Sequence, residues 1–270
     1  MEIIAVANLK GGVGKTVTTH TLGAVLAQDR SVLLIDADPQ GSLTGACGID
    51  QTEDRSLAEI LSRGRDHLPL RDVIRDLDKN LALVPAGPEL AVAERALASH
   101  EEAESVLKDS LSTLVPDRGF ARPFSAWTTQ SYDVVLIDTS PSLGLLTINA
   151  LTAATGVLIP TIPEIVGLSS LRLFLDKMDE IKRTLNPRLR TIGILATFFD
   201  KRLLHHKAVM EVMRLSGLPL LDVTIGRSVR VAEAVASGET VVTYAPVNPR
   251  AVEYWVLGEV VRGWLDDRRH

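Results

Sequence analysis

Short runs of apolar residues alternate with segments of helical periodicity along most of this chain. Uninterrupted apolar runs are typical of strands buried on both faces of a parallel sheet. Strands of this kind are predicted at residues 3–7, 31–36, 81–85, 132–138, 157–162, 191–197 and 220–225. Helices are predicted, from apolar residues three and four apart, at residues 16–28, 88–114, 143–153, 168–185, 203–216, 231–236 and 247–267.

Strands that alternate with helices predict an α/β fold in which a mainly parallel, doubly wound sheet carries helices on both faces. We expect residues 1–270 to form a single domain of this kind. Two stretches are less regular. Between residues 51 and 80 the apolar residues favour short helices, first at Leu57, Ile60 and Leu61 and then at Val73, Ile74 and Leu77. Residues 115–130 are expected to be an irregular connection.

Composition narrows the class of protein. Apolar residues make up 46% of the chain and charged residues 23%, which is ordinary for a soluble globular protein. The single cysteine, Cys47, cannot form an internal disulfide. The N-terminus lacks the pattern of a signal peptide, and no apolar run approaches the roughly 20 residues of a membrane span. We therefore expect a cytoplasmic protein.

Charge is distributed unevenly. The formal net charge is −5, yet residues 182–230 contain ten Lys and Arg residues against three acidic ones. Such asymmetry predicts a face that binds a polyanion on an otherwise acidic body. Charge alone leaves open the alternative that these cations lie on solvated helix faces.

A glycine-rich segment follows the first predicted strand and precedes the first predicted helix. Gly11, Gly12 and Gly14 allow successive backbone N–H groups to turn towards a polyphosphate. Lys15 is placed to reach the β- and γ-phosphates, and the hydroxyl of Thr16 to hold Mg²⁺. The segment therefore predicts a phosphate-binding loop, with a glycine-rich loop of no function as the alternative.

Three carboxylates come at the ends of predicted strands. Asp138 ends one buried strand, and Asp36 and Asp38 lie two residues apart at the end of another. Because ligands bind at the carboxyl ends of strands in open α/β sheets, all three are expected near the phosphate loop. Asp138 fits a role in holding Mg²⁺, directly or through a water. Of Asp36 and Asp38, one can face the metal and the other the attacking water.

These motifs together resemble the ParA/MinD family of ATPases. Residues 10–16, Lys-Gly-Gly-Val-Gly-Lys-Thr, are similar to the deviant Walker A box of that family, in which a second lysine precedes the glycine pair. Residues 32–41 resemble its A′ box, residues 134–147 its B box, and residues 226–234 the C-terminal segment of its ParA branch. The match covers nearly the whole chain and implies a fold of the P-loop NTPase type.

The resemblance implies an ATPase that uses ATP, ADP and Mg²⁺ and forms a homodimer around two nucleotides. Lys10 would complete the partner's site, Lys15 would contact the phosphates and Asp38 would prepare water for attack. Thr16, Asp36 and Asp138 would hold the metal. The residues expected to bind nucleotide are Lys10, Gly11, Gly12, Val13, Gly14, Lys15, Thr16, Val17, Gly226 and Arg227. Gly226 stands where the branch usually has proline, so the adenine contacts stay open.

The resemblance also gives the basic segment a function. Arg202 and Arg230 match residues that contact DNA without sequence preference, and Lys201, Lys207 and Arg227 are further candidates by proximity. Arg227 is thus a candidate for either the base site or the DNA face. The implied function is partition of a chromosome or plasmid by a nucleoid-associated, weakly active ATPase that a ParB-type partner stimulates.

A membrane-positioning ATPase like MinD is the main alternative. That branch ends in an amphipathic helix whose apolar residues are flanked by cations, whereas here Asp266 and Asp267 directly follow Trp264 and Leu265. Because anionic lipid repels carboxylates, we expect no membrane partner. A metabolic ligase with a similar loop is a more distant alternative.

Overall fold

A computed structural model of the chain describes residues 1–50, 55–62, 68–114 and 131–268. Within them eight strands form one sheet, in the order β3-β4-β2-β5-β1-β6-β7-β8. Every neighbouring pair is parallel except β3 and β4, which are antiparallel. The strands are β1 (Glu2–Val6), β2 (Val32–Ala37), β3 (Arg75–Asp78), β4 (Leu81–Val84), β5 (Val134–Thr139), β6 (Gly156–Thr161), β7 (Arg190–Phe199) and β8 (Leu220–Gly226).

Helices cover both faces of this sheet. They are α1 (Lys15–Leu26), α2 (Ser42–Ala46), α3 (Leu57–Ser62), α4 (Leu90–Leu97), α5 (Val106–Ser112), α6 (Leu145–Ala153), α7 (Ile165–Thr184), α8 (Leu204–Leu215), α9 (Val229–Ala236), α10 (Val241–Tyr244) and α11 (Pro249–Asp267). Alternate side chains of the strands contribute to two apolar cores, one with α3 to α8 and one with α1, α2, α10 and α11. The predicted doubly wound α/β fold is therefore confirmed.

The predicted helix over residues 88–114 was wrong as a single element. It is divided into α4 and α5 by turns over residues 98–105, where Glu102 has a left-handed φ of 58°. Asn149 of α6 stabilises the start of α5, because its amide accepts from Leu107 N–H at 3.0 Å and donates to Ala103 O at 2.7 Å. A contact 42 residues away in the chain thus decides where the second helix begins.

The predicted helical pattern at Val73, Ile74 and Leu77 was also wrong. Leu70–Val73 is a 3₁₀ turn, and β3 follows it as an edge strand paired with β4. Exposure alternates along β3, as it does in a strand with one face on the core. The short helix α10 was not predicted. The predicted connection at 115–130, like 51–54 and 63–67, lies outside the described residues.

Register brings the predicted site residues to one edge of the sheet. Asp36 of β2 is the direct neighbour of Asp138 of β5, and β1 lies between β5 and β6. On the other side, Phe199 at the end of β7 pairs with Gly226 at the end of β8. The segments after β1, β2, β5, β7 and β8 therefore all leave the same, carboxyl, edge. Within the described part of the chain, every helix is too short or too polar to cross a membrane.

Candidate nucleotide site and basic edge

The backbone of the glycine-rich loop has the conformation that the sequence predicts. Gly12 and Gly14 have φ values of 70° and 84°, which disfavour residues with a Cβ. Gly14 is also the N-cap of α1, so the helix begins directly at the loop and directs its N–H groups towards it. A Cβ on Gly12 would meet no atom within 4 Å among the described residues, so the loop is open on that side.

Hydrogen bonds with β6 and β7 hold this loop in place. Asn8 donates from Nδ2 to Pro160 O at 2.8 Å, and its Oδ1 accepts from Lys10 N–H at 3.0 Å. Thr197 of β7 donates its hydroxyl to Val13 O at 2.8 Å. Because the contacts with Pro160 and Thr197 join segments more than 150 residues apart, the sheet as well as the loop's own sequence fixes the loop.

Lys15 and Thr16 meet Asp138 at the start of α1. The Thr16 hydroxyl donates to Asp138 Oδ2 at 2.6 Å, and Thr19 one turn later lies 3.4 Å from Oδ1. Lys15 is buried close enough to Asp138 and Asp38 for both carboxylates to influence its charge. The structure therefore brings together the predicted phosphate lysine and the predicted metal ligands.

Asp36 and Asp38 have different environments although they are two residues apart. Asp36 is fully buried, and its Oδ2 accepts from both the N–H and the hydroxyl of Thr44, each at 2.8 Å. Its Oδ1 accepts from Asp38 N–H at 3.2 Å. Asp38 itself is half-buried and caps the following turn by accepting from Gln40 N–H at 3.0 Å.

Burial governs the electrostatics of this cluster. Desolvation raises the pKa of Asp36 to about 6, and the hydrogen bonds from Thr44 and Asp38 oppose the shift. Desolvation, reinforced by Asp36, also raises the pKa of Asp138, against the opposing effects of Thr16 and Lys15. The pKa of Lys15 is lowered because burial outweighs the attraction of Asp138 and Asp38. Asp36, Asp38 and Asp138 carry more negative charge than Lys15 balances, so the site favours binding of further positive charge.

The donor set fits a magnesium nucleotide. A hydroxyl and carboxylate oxygens are the hard ligands that Mg²⁺ prefers, and Thr16, Asp36 and Asp138 present them at the start of α1 and the ends of β2 and β5. The open glycine turn and Lys15 fit the phosphates. These residues could therefore hold both groups.

Lys10 lies at the edge of the loop and is paired within its own chain. Its Nζ lies 2.8 Å from Oε2 of Glu164, the residue just before α7. The Lys10 side chain is 26% exposed and the Glu164 side chain 45% exposed. The hydrogen bond from Lys10 lowers the pKa of Glu164. The predicted role of Lys10 across a dimer stays a prediction, and this partner was not foreseen from the sequence.

The predicted DNA-binding residues lie together at the far side of the same edge. We call Lys201, Arg202, Lys207, Arg227 and Arg230 the basic edge. Lys201 and Arg202 form the turn after β7, Lys207 is on α8, and Arg227 and Arg230 follow β8. The pairing of Phe199 with Gly226 makes these segments neighbours, and all five side chains belong to exposed residues.

Local acids pair with the two principal arginines of the basic edge. Arg202 donates from Nη2 to Asp200 Oδ2 at 2.8 Å, and the hydrogen bonds from Arg202 hold the pKa of Asp200 well below its usual range. Arg230 donates to Glu233 at 2.8 Å. Arg227 lies over the ring of Phe198, 5.8 Å from its centroid, and that ring in turn lies against Gly14. Arg227 is thus the member of the basic edge that Phe198 connects to the phosphate loop.

The other predicted nucleotide residues are less accessible. The N–H of Gly226 already donates to Glu253 at 2.9 Å, and a Cβ there would collide with the Arg250 guanidinium. Val13 is buried, and Val17 packs against the core that contains α1. Contacts of these three residues with nucleotide stay predictions.

Several residues that contact the predicted site carried no signal in the sequence that we used, and four of them show why. They are Asn8, Thr44, Glu164 and Phe198. Each acts through a partner distant in the chain or, for Thr44, across a loop of eight residues. Phe198 alone has a local peculiarity, a left-handed φ of 50°, and this is visible only in the structure.

Comparison with known proteins agrees with this geometry. The family described as AAA domain matches residues 1–191. The chromosome-partitioning ATPase Soj of Thermus thermophilus is 38% identical over 260 residues, which cover 96% of this chain and 94% of that protein. The chromosome partitioning protein ParA of Myxococcus xanthus is 37% identical over 260 residues, covering 95% and 86%.

A solved structure resembles the whole fold. Cobyrinic acid a,c-diamide synthase from Mycobacterium smegmatis, with a bound ATP analogue and magnesium, superposes with a TM-score of 0.81 and 32% identity, covering 98% of this chain and 96% of that one. With a nucleotide-type loop, converging carboxylates and relatives of this similarity, the chain belongs to the ParA/Soj family of AAA-domain P-loop ATPases.

Proposed function

We propose that this protein is an ATP-hydrolysing DNA-partition protein whose residues 1–270 act as one ATPase domain. It dimerises around ATP, binds DNA without sequence preference and segregates a chromosome or plasmid with a ParB-type partner, on the nucleoid in the cytoplasm. The observation that carries the proposal is the position of the basic edge, which lies at the same edge of the sheet as the phosphate loop.

Each part of the nucleotide site has an assigned role in this proposal. Lys15 and the loop from Lys10 to Val17 hold the phosphates, while Thr16, Asp36 and Asp138 hold Mg²⁺. Bound Mg²⁺ neutralises charge on the phosphate oxygens. Asp38, half-buried directly after β2, orients the attacking water. Phosphoryl transfer requires mostly positioning and charge stabilisation, so these groups suffice for slow turnover.

The surface around Lys10 supports dimerisation. Ile165 and Val166, directly after Glu164, are 74% and 75% exposed. Two adjacent exposed apolar side chains beside the phosphate loop favour burial against another protein surface, because burial removes them from water. A second copy would cover them and receive the Lys10 ammonium. A cation supplied in trans raises phosphoryl-transfer rates by roughly 10³ to 10⁵ in the comparable arginine-finger case. The dimer is therefore the active state.

Dimerisation would also make DNA binding depend on ATP. If one subunit neutralises about four phosphates, log K falls with log salt at a slope of about −4, and for a dimer of about −7. Near physiological salt the affinity of a single subunit for DNA is therefore low, and only a pair of subunits binds DNA strongly enough to function. Arg202 and Arg230 supply the main contacts, Lys201 and Lys207 add charge, and Arg227 serves either the DNA or the base.

The experiment that tests the proposal measures binding to random-sequence duplex DNA at several salt concentrations, by fluorescence anisotropy. Wild-type protein should bind with ATP and much more weakly with ADP. Arg230→Ala should weaken binding and reduce the steepness of the salt slope by about 2 for a dimer.

Arg188→Ala is the matched control, because Arg188 is an exposed cation just before β7, at the opposite edge of the sheet. It should leave the slope unchanged. Equal slopes for Arg230→Ala and wild type would contradict the assignment of the basic edge, and binding independent of nucleotide would contradict the switch.

The MinD-like alternative is distinguished by flotation with anionic liposomes and ATP. The end of α11 packs on the body: Leu265 is buried, Trp264 lies against Gly156, and Arg268 pairs with Glu2 at 2.8 Å. We expect the protein to stay in the fraction that contains no liposomes. Flotation with the liposomes would support the membrane function instead.

A further inference from the structure

Thr44 occupies an unusual place beside the candidate site. It lies in the short helix α2, eight residues after Asp36, and both residues are fully buried. Its N–H and its hydroxyl reach the same oxygen of Asp36, each at 2.8 Å. Two donors from one residue on a single carboxylate oxygen fix both the distance and the rotation of that carboxylate.

The hydroxyl of Thr44 both donates and accepts a hydrogen bond. It donates to Asp36 and accepts from Ala86 N–H at 2.9 Å, and all these atoms are buried. Ala86 belongs to the loop after β4, the strand that neighbours β2. The carboxylate is therefore connected through Thr44 to the backbone of the loop that follows the adjacent strand, two residues from its end.

Asp36 in turn orients Asp38 through a hydrogen bond. Its second oxygen accepts from Asp38 N–H at 3.2 Å, so the carboxylate holds the backbone from which the Asp38 side chain projects. The turn then closes with Gly41 N–H donating to Asp38 O at 2.9 Å. A rotation of the Asp36 carboxylate would shift Asp38, and displacement of about 1 Å at a reacting group can cost a factor of about 100 in rate.

We infer that Thr44 is a positioning residue for the hydrolytic site, which acts through Asp36 to place Asp38. The inference rests on the proposed ATPase function and adds a residue to it. A buried threonine could instead serve only to fill space between α2 and the sheet. The two roles separate chemically, because valine keeps the shape of threonine and removes only the hydroxyl.

The test compares Thr44→Val, Thr44→Ser and wild type in steady-state ATP hydrolysis and in nucleotide binding. Thr44→Val should lower kcat by about 10- to 100-fold with KM changed by less than about threefold, because the phosphate loop is untouched. Thr44→Ser, which keeps the hydroxyl, should recover most of the lost rate. A space-filling role predicts the opposite order, with serine the more damaging change.

Thr152→Val is the matched control. Thr152 is buried in α6, and its hydroxyl has no hydrogen-bond partner in the described structure, so the same chemical change removes no contact. It should leave kcat unchanged. If Thr44→Val and Thr152→Val have equal kcat, the inference is overturned.

Hydrogen exchange provides a readout that needs no turnover. In Thr44→Val the Ala86 amide loses its acceptor and should exchange up to about tenfold faster, and the Asp38 amide should also lose protection. Unchanged protection at Asp38 would overturn the positioning role even if wild-type protein hydrolysed no ATP. Absence of wild-type hydrolysis with this loss of protection would contradict the proposed ATPase function alone.

Discussion

The phosphate-loop site and the basic edge lie at the same edge of one sheet but are built in opposite ways. In the phosphate-loop site Lys15, Asp36 and Asp138 are buried, and the partner of Asp138 is distant in the chain, since Thr16 and Asp138 are 122 residues apart. In the basic edge the Arg202 and Arg230 side chains are 85% and 59% exposed, and their partners lie two and three residues away.

The contrast shows which changes each region tolerates. A buried charge has lost its hydration, so removing its partner leaves a cost of several kcal/mol that the sheet cannot relieve. An exposed pair is worth about 0 to 1 kcal/mol and is screened by salt. The first region is therefore suited to one fixed chemical geometry, and the second to reversible binding of a polyanion whose strength varies with conditions.

The largest effect should come from a buried imidazole in α1, on the side of the phosphate loop. Burial lowers the pKa of His20 to about 4, from 6.5. Because the unfolded chain takes up a proton first, stability is complete above about pH 6.5 and falls as pH drops towards 4. The shift corresponds to about 3 kcal/mol. The raised pKa values of Asp36 and Asp138 act in the opposite direction, but they do so in wild type and in His20→Gln alike. Urea unfolding between pH 4 and 7 should therefore show the slope in the difference in unfolding free energy between wild type and His20→Gln.

His100 is the control for this measurement, since it is partly exposed in the turns between α4 and α5. His100→Gln should keep the wild-type slope. A difference between wild type and His20→Gln that stays constant from pH 7 to pH 4 would contradict the role of His20.

An intermediate effect should come from a close contact between the segment after α2 and the segment after α9. Gly48, after α2, and Gly238, after α9, both have left-handed φ angles, and a Cβ on Gly238 would lie 3.4 Å from Gly48 Cα. Gly238→Ala should destabilise the protein by about 2 kcal/mol, combining the backbone cost with the crowding. Thermal and urea unfolding measure the loss.

Gly217→Ala is a matched control, because Gly217 has a φ of 69° and a Cβ there would meet nothing within 4 Å. Its loss should be about 1 kcal/mol, the backbone cost alone. Equal losses for the two variants would show that the approach of Gly48 to Gly238 imposes no constraint.

The smallest effect should come from Glu164, whose pair with Lys10 is half-exposed although it lies beside the phosphate loop. In the proposed dimer Lys10 would have to leave Glu164 to reach the partner's nucleotide, so Glu164→Gln should strengthen dimerisation by no more than about fivefold. Sedimentation velocity with a non-hydrolysable ATP analogue measures the change.

Glu180→Gln is the control on the same helix, because Glu180 forms an exposed pair with Lys177 at 2.7 Å. It should leave the dimer unaffected. A weaker dimer in Glu164→Gln would mean that Glu164 holds Lys10 ready for the partner rather than competing for it.

The sequence by itself determined the features that depend on neighbouring residues. Continuous apolar runs predicted β1, β2, β4, β5, β6, β7 and β8, and the glycines with Lys15 and Thr16 predicted the phosphate loop at the start of α1. Such features could be predicted because burial patterns and backbone permissiveness are properties of a few adjacent residues. The expectation that acids at strand ends converge also followed from local pattern together with the rules of parallel sheets.

Only the tertiary structure decided the contacts between distant segments. The edge strand β3 formed where a helix was predicted, because pairing with β4 outweighed its local pattern. The division of α4 from α5 depended on Asn149, and the partners of Lys10 and Val13 came from segments 154 and 184 residues away. Contacts of that kind leave no trace in local periodicity, because their free energy arises only after the sheet has placed the segments side by side.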